Sequence, residues 1–186
     1  GKETKDCWKG VACFSHSEKE VMMSGNGRMI AGPLSEDLHR TFEPSLRFGR
    51  IYPLIYDIGA CPNCYTALLW SDFKDLKKKE DQDNLFFKRE DRKNKVNAVF
   101  PHFALNRERS LYDGCAMYYL ALLSYDSVGH DILPTMKSAF LSLRLAWLTR
   151  DLDSAVPGHN FSYLSNVFYR KALFFYQQAI LNETER

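Results

Sequence analysis

The tetrapeptide Cys61-Pro62-Asn63-Cys64 constrains this chain more than any other stretch. It closes one apolar run, Tyr52 to Ala60, and opens a second, Tyr65 to Trp70. Two cysteines two residues apart at a strand-to-turn junction can grip a single metal ion. The proline stiffens the turn, and its missing N–H leaves the neighbouring amides to point at a thiolate sulfur. Redox dithiols share the spacing, so the pair gains meaning only from further donors elsewhere in the chain.

Upstream lie Cys7, Cys13 and His16. Cys13-Phe14-Ser15-His16 has the spacing of a zinc knuckle, and imidazole is a good zinc ligand. Cys13, His16, Cys61 and Cys64 would together make a tetrahedral Cys3His site, with Cys7 as the alternative fourth ligand. Such a site would staple the apolar-poor N-terminal third to the strand before Cys61. Structural zinc of this kind contributes on the order of 10 kcal/mol to folding. A catalytic zinc needs an open coordination position and a nearby general base. Neither an H-E-x-x-H nor an H-x-E arrangement beside the cysteines is present, so the expected zinc is structural and catalytic residues are not assigned.

Composition narrows the function classes. The chain has 186 residues, is 45% hydrophobic and 26% charged, and carries a net charge of +2, which is ordinary for a folded domain and gives no global field for nucleic acid. No apolar run approaches a membrane span. An odd set of five cysteines with one C-x2-C argues against a secreted disulfide framework, and no leader pattern is visible, so the expected location is cytoplasmic.

Along the chain, Ser24-Gly25-Asn26-Gly27 reads as a hairpin return, with an anion nest at Arg28 as the minor alternative. Gly32-Pro33 stops that segment, and Ser35 is placed to cap a short helix from Glu36 to Phe42. Ser71 is placed to cap a helix beginning at Asp72. Lys74 to Lys95 alternates acid and base, which reads as a solvated helix or connector rather than a nucleic-acid surface. Ser110 to Asp113 has the spacing of a capping box, with Leu111, Cys115, Tyr118, Leu122 and Tyr125 following at helical spacing. Cys115 reads as core packing. A second helix opens near Asp131 and Pro134, with Met136, Phe140, Leu143 and Trp147 on one stripe. A third carries Phe161, Leu164, Phe168, Ala172, Phe175 and Ala179. Their apolar character exceeds one face, so at least one is central. Three helices with short links suggest tetratricopeptide-type stacking or a plain three-helix bundle. His39, His102, His130 and His159 read as surface or capping residues.

Tyr52-Pro53-Leu54-Ile55-Tyr56 leading into Cys61-Pro62-Asn63-Cys64-Tyr65, followed by Leu143 to Arg150, resembles the DUF2225-type family of uncharacterised bacterial proteins. The similarity runs from about Cys13 to Ile180. It implies a cysteine-pair, zinc-ribbon-like head and a tetratricopeptide-like helical region, and no activity. The family's first pair is similar to C-P-x-C. Alignment on the Ser24-Gly25 turn puts Cys13 at its second cysteine and Gly10 at its first, so His16 or Cys7 must substitute.

The expected fold is mainly α (α+β): a small β-containing zinc-ribbon-like part over residues 1–72, a charged helical connector over 73–108 and a tetratricopeptide-like helical region over 109–186. The expected function is a non-catalytic, zinc-stabilised interaction or scaffold module that binds a peptide or protein on its helical region. The alternatives are a metal-dependent hydrolase or thiol enzyme using the cysteine cluster, and a zinc-ribbon nucleic-acid binder. Oligomeric state is left open.

Overall fold

A computed structural model describes residues 30–44, 46, 49–105, 109–129 and 132–182. Over these residues the protein is mainly helical with two small antiparallel hairpins. The first hairpin pairs β1 (Ala31–Leu34) with β2 (Arg40–Phe42). The second pairs β3 (Ile58–Ala60) with β4 (Ala67–Leu69) in the register Ile58↔Leu69, Gly59↔Leu68 and Ala60↔Ala67. Single 3-10 turns at Pro53–Tyr56 and Asp72–Lys74 flank the second hairpin. Five α-helices complete the described residues: α1 (Lys79–Phe87), α2 (Arg89–Val99), α3 (Leu111–Tyr125), α4 (Pro134–Ala155) and α5 (Phe161–Asn182).

The helix α3 is the axis of the fold. The expected capping box starts it: Asp113 N–H donates to Ser110 Oγ at 3.1 Å and Ser110 N–H to Asp113 Oδ2 at 3.2 Å. Cys115, Ala116, Tyr118, Leu120 and Ala121 are all fully buried, and only Tyr112, Asp113, Tyr119 and Leu123 of α3 are partly exposed. One side receives α4, another α2, and a third the 3-10 turn and strands of the second hairpin. Cys115 is core packing, as its neighbours in sequence imply.

The hairpin β3–β4 is bonded to α3 as well as packed on it. Ala67 N–H donates to Ser124 Oγ at 3.0 Å, and Leu69 N–H to Tyr125 Oη at 3.2 Å. Arg109, just before α3, gives Nη1 to the carbonyls of Ile55 and Ile58, both at 2.8 Å. Tyr118 Oη donates to Leu54 O at 3.0 Å. Behind the hairpin Asp72, 3% exposed, accepts Lys137 Nζ at 2.6 Å and the Tyr125 hydroxyl. This is an ion pair with a buried carboxylate, a partly exposed ammonium and a phenol as third member.

Three sequence expectations change. The segment from Glu36 to Phe42 is not a helix: Gly32-Pro33 lies inside β1, and Ser35 to Leu38 is the hairpin's turn. The Ser35 hydroxyl that would have capped a helix instead accepts from His39 N–H at 3.0 Å, a local bond that competes with helix. Leu38 adopts a φ of +65°, which ends any right-handed turn there. Ser71 caps nothing, its hydroxyl bonding Asp72 at 2.9 Å, and the chain makes only a 3-10 turn before α1. In α4 the buried stripe is Ser138, Leu141, Ser142, Leu145, Leu148, Thr149 and Leu152, rotated from the Met136–Phe140–Leu143–Trp147 line. The small residues on that stripe admit close approach of neighbouring helices. Met136 is exposed, and Trp147 stacks on His39 at 5.1 Å.

Residues Cys7, Cys13, His16, the Ser24–Gly27 turn with Arg28, His130 and Asp131 lie outside the described residues.

Candidate metal centre

Cys61 and Cys64 sit in the loop of the β3–β4 hairpin. Cys61 N–H donates to Thr66 O, and Tyr65 N–H to Cys61 O, both at 2.9 Å, so the loop closes on itself as a tight knuckle. The amides of Asn63 and Cys64 donate to the Cys61 side chain, as the N–H-free proline predicts. The two cysteine side chains are hydrogen-bonded to each other. Cys64 Sγ also lies 3.3 Å from Thr66 Oγ1. Leaving the knuckle, Tyr65 takes a φ of +54°, a left-handed conformation that costs a non-glycine residue about 1–2 kcal/mol.

Both sulfurs are out of water. Cys61 is 0% and Cys64 2% exposed, and Trp70, Phe73 and Phe86 pack over them as a cluster apart from the main core. Trp70 is fixed by its indole N–H, which donates to Tyr56 O at 2.8 Å. Gly59 makes room for it: a Cβ there would stand 2.4 Å from the indole ring. The hydrogen bond from Cys64, burial and the Cys64 charge push the Cys61 thiol well above its ordinary value, against the pull of the two amides. A buried, protonated thiol is a poor nucleophile, which weighs against Cys61 in that role.

The amides have a different use when a cation is present. A divalent ion inverts the local proton logic and takes both sulfurs as thiolates, whose negative charge the N–H groups then stabilise. The donor set therefore fits two corners of a zinc site. Among the described residues, no three His, Cys, Asp or Glu side chains converge for a metal. Cys61 and Cys64 come together; the upstream candidates Cys13, His16 and Cys7 are not among those residues.

Arg92 was not anticipated. It comes from α2, in the charged stretch, and is 1% exposed. Its Nη2 donates to Cys64 O at 2.8 Å, to Thr66 Oγ1 at 3.1 Å and to Leu85 O, while Nε reaches Tyr65 O at 3.3 Å. Burial lowers its proton affinity, and the Cys64, Asp91 and Cys61 charges act in the opposite sense. One sequence signal was available: Arg92 shares the buried side of α2 with Val96, four residues on.

A second polar group joins the first hairpin to α4 and α5. Asp37 accepts Arg150 Nη1 at 2.9 Å, the Tyr169 hydroxyl and the Ser35 hydroxyl. His39 is buried rather than on the surface, 4% exposed, with Nε2 2.9 Å from Asp151 Oδ2. His102 and His159 are exposed as expected.

The family description "Uncharacterized protein conserved in bacteria (DUF2225)" matches residues 9–186. The chain belongs to the DUF2225 family. A Borreliella burgdorferi relative, itself described as an uncharacterized protein, is 36% identical over 178 residues. The match covers 95% of the DUF2225 chain and 63% of that relative, so the chain spans less than two thirds of the relative's length. No solved structure matches. No helix among the described residues of this DUF2225 chain is long and apolar enough to cross a membrane.

Proposed function

We propose that this DUF2225 protein is a non-catalytic interaction module, in which structural zinc on Cys61, Cys64 and upstream donors firms the head and the helical region binds a protein partner. The observation that carries the interaction is the outer face of α5. Tyr163, Leu173, Phe174, Ile180 and Leu181 are all more than half exposed there. Large apolar residues gathered on one helix face mark a binding surface. The same helix carries Arg170 and Lys171 and no Asp or Glu from Phe161 to Asn182, which favours an acidic, amphipathic partner segment. The Arg170 and Lys171 charges count against a second copy of α5 as the occupant.

The zinc rests on the knuckle, whose amide-to-sulfur bonds suit bound thiolates. In this reading residues 1–72 form the zinc-ribbon-like head, 73–108 the charged connector and 109–186 a tetratricopeptide-like stack. The setting is the bacterial cytoplasm.

Elemental analysis and site-specific photo-cross-linking test the two parts. Wild type should hold one equivalent of zinc, lost in Cys61→Ser. A cross-linker at position 173 should yield one discrete adduct in bacterial cytosol, abolished by Phe174→Asp and absent from a cross-linker at exposed Glu80. Zinc retained in Cys61→Ser removes the metal part. Equal, non-discrete labelling from both positions removes the interaction part.

A further inference from the structure

The first hairpin and α4 border a pocket that neither the zinc nor the α5 face uses. It encloses about 350 Å³, counted out to its open mouth, and is lined by residues 39–42 and 50–54 with Leu148 and Asp151 of α4. Ile51, Leu54 and Leu148 contribute apolar wall, and His39, Arg40, Arg50 and Asp151 are the basic and acidic residues of the lining.

His39 is 4% exposed, and its Nε2 lies 2.9 Å from Asp151 Oδ2. An ionised carboxylate only accepts, so Nε2 carries the proton, and in the neutral ring Nδ1 is then an acceptor. Trp147 stacks on the ring at 5.1 Å and helps to hold it in place. Yet Nδ1 is buried with no hydrogen-bond partner among the described residues. Buried polar atoms are nearly always paired, so an orphan acceptor on a pocket-lining residue calls for a donor from outside the chain. The charges of the lining are uneven as well. The one carboxylate is engaged by His39, whereas neither Arg40 nor Arg50, both exposed, is ion-paired among the described residues. A guanidinium fork matches the planar geometry of a carboxylate.

We propose that this pocket binds a small organic acid that carries a hydroxyl group. Its carboxylate lies on Arg40 and Arg50, its apolar body against Leu54 and Leu148, and its hydroxyl donates to His39 Nδ1. Neither the zinc nor the partner of α5 enters this assignment.

Calorimetric titration of the full chain with para-hydroxybenzoate tests it. Wild type should bind one equivalent saturably, and the His39 ring nitrogens should shift when the same titration is followed by NMR. Benzoate lacks the hydroxyl and para-hydroxybenzamide lacks the charge, and each should bind about tenfold more weakly. Inorganic phosphate, with charge but no apolar body, should bind more weakly than para-hydroxybenzoate. The double variant Arg40→Gln with Arg50→Gln should lose about tenfold in affinity for para-hydroxybenzoate while its affinity for para-hydroxybenzamide stays near that of wild type. Benzoate binding as tightly as para-hydroxybenzoate overturns the proposal, as does phosphate binding more tightly, or an unchanged affinity in the double variant. Absence of saturable binding to wild type, or shifts that spare His39, assigns Nδ1 to a buried water and also overturns it. Should the double variant fail to fold, the comparison of ligands on wild type decides alone.

Discussion

Gly114 of α3 lies directly against Ile55: a Cβ on Gly114 would stand 2.4 Å from Ile55 Cγ2. A glycine inside a helix normally weakens it by about 1 kcal/mol relative to alanine. Here it lets the 3-10 turn before the second hairpin seat on the central helix. Gly114→Ala should therefore destabilise the protein by about 1–3 kcal/mol despite the better helix former, as overpacking does. Urea denaturation checks this, and in an Ile55→Gly background, which lacks both the Cγ2 and the Cβ that would be met, the further loss on adding Gly114→Ala should be smaller. Additive losses in the double variant would show that the contact is not the cause.

The Asp72 triad behind the hairpin should respond asymmetrically. Lys137→Met leaves a 3% exposed carboxylate without its cation, and should cost about 3–5 kcal/mol in urea denaturation. Tyr125→Phe keeps the ion pair but strands the Leu69 amide, and should cost about 1–3 kcal/mol. A smaller loss from Lys137→Met than from Tyr125→Phe would contradict this order.

The first hairpin should weaken in acid. Burial alone would raise the Asp37 carboxyl, but bonds from Ser35, Tyr169 and Arg150, and the Arg150 charge, hold it below its ordinary value of 3.8. A carboxyl lowered on folding adds stability above its unfolded value, and that stability is lost as pH falls toward the folded one. At pH 7 wild type should therefore melt above Asp37→Asn, and the gap should close progressively below about pH 4. Thermal melts of both proteins from pH 7 to pH 3 measure it. A gap that is constant with pH would contradict the assignment.

Thiol reagents should distinguish the cysteines. Cys115 is fully buried in α3, and burial raises its thiol above the ordinary value. It should stay unreactive until global unfolding, with a labelling rate that follows the urea transition. A metal chelator should speed labelling of Cys61 and Cys64 while leaving Cys115 protected. Labelling of Cys115 in native buffer at the rate of the knuckle cysteines would contradict this.

The central helix was legible because its signals agree: a capping box at Ser110 and Asp113, then apolar residues at helical spacing. The register of α4 was not, because its buried stripe contains Ser138, Ser142 and Thr149 while its large aromatics lie at the rim. Hydrophobicity misleads where hydroxyls are satisfied inside the helix, as Thr149 Oγ1 is by Leu145 O at 2.7 Å. Ser35 misled for a related reason, since the same hydroxyl chemistry serves a helix cap or a hairpin turn. At the candidate site, the Cys61–Cys64 knuckle could be read directly from spacing and the proline. Arg92 could not, because a cation in a charged stretch resembles a solvated one until its carbonyl partners, distant in sequence, fold onto it.

The indole of Trp70 rests on Gly59 and joins the ring cluster over the two sulfurs. The protein thus carries its own optical gauge of the knuckle: a paramagnetic ion arriving there should quench emission from Trp70 by proximity. Trp147, stacked on His39, marks the other hairpin. Titration of the unlabelled protein can therefore follow events at the two hairpins separately, once Trp8 and the other of this pair are replaced by phenylalanine.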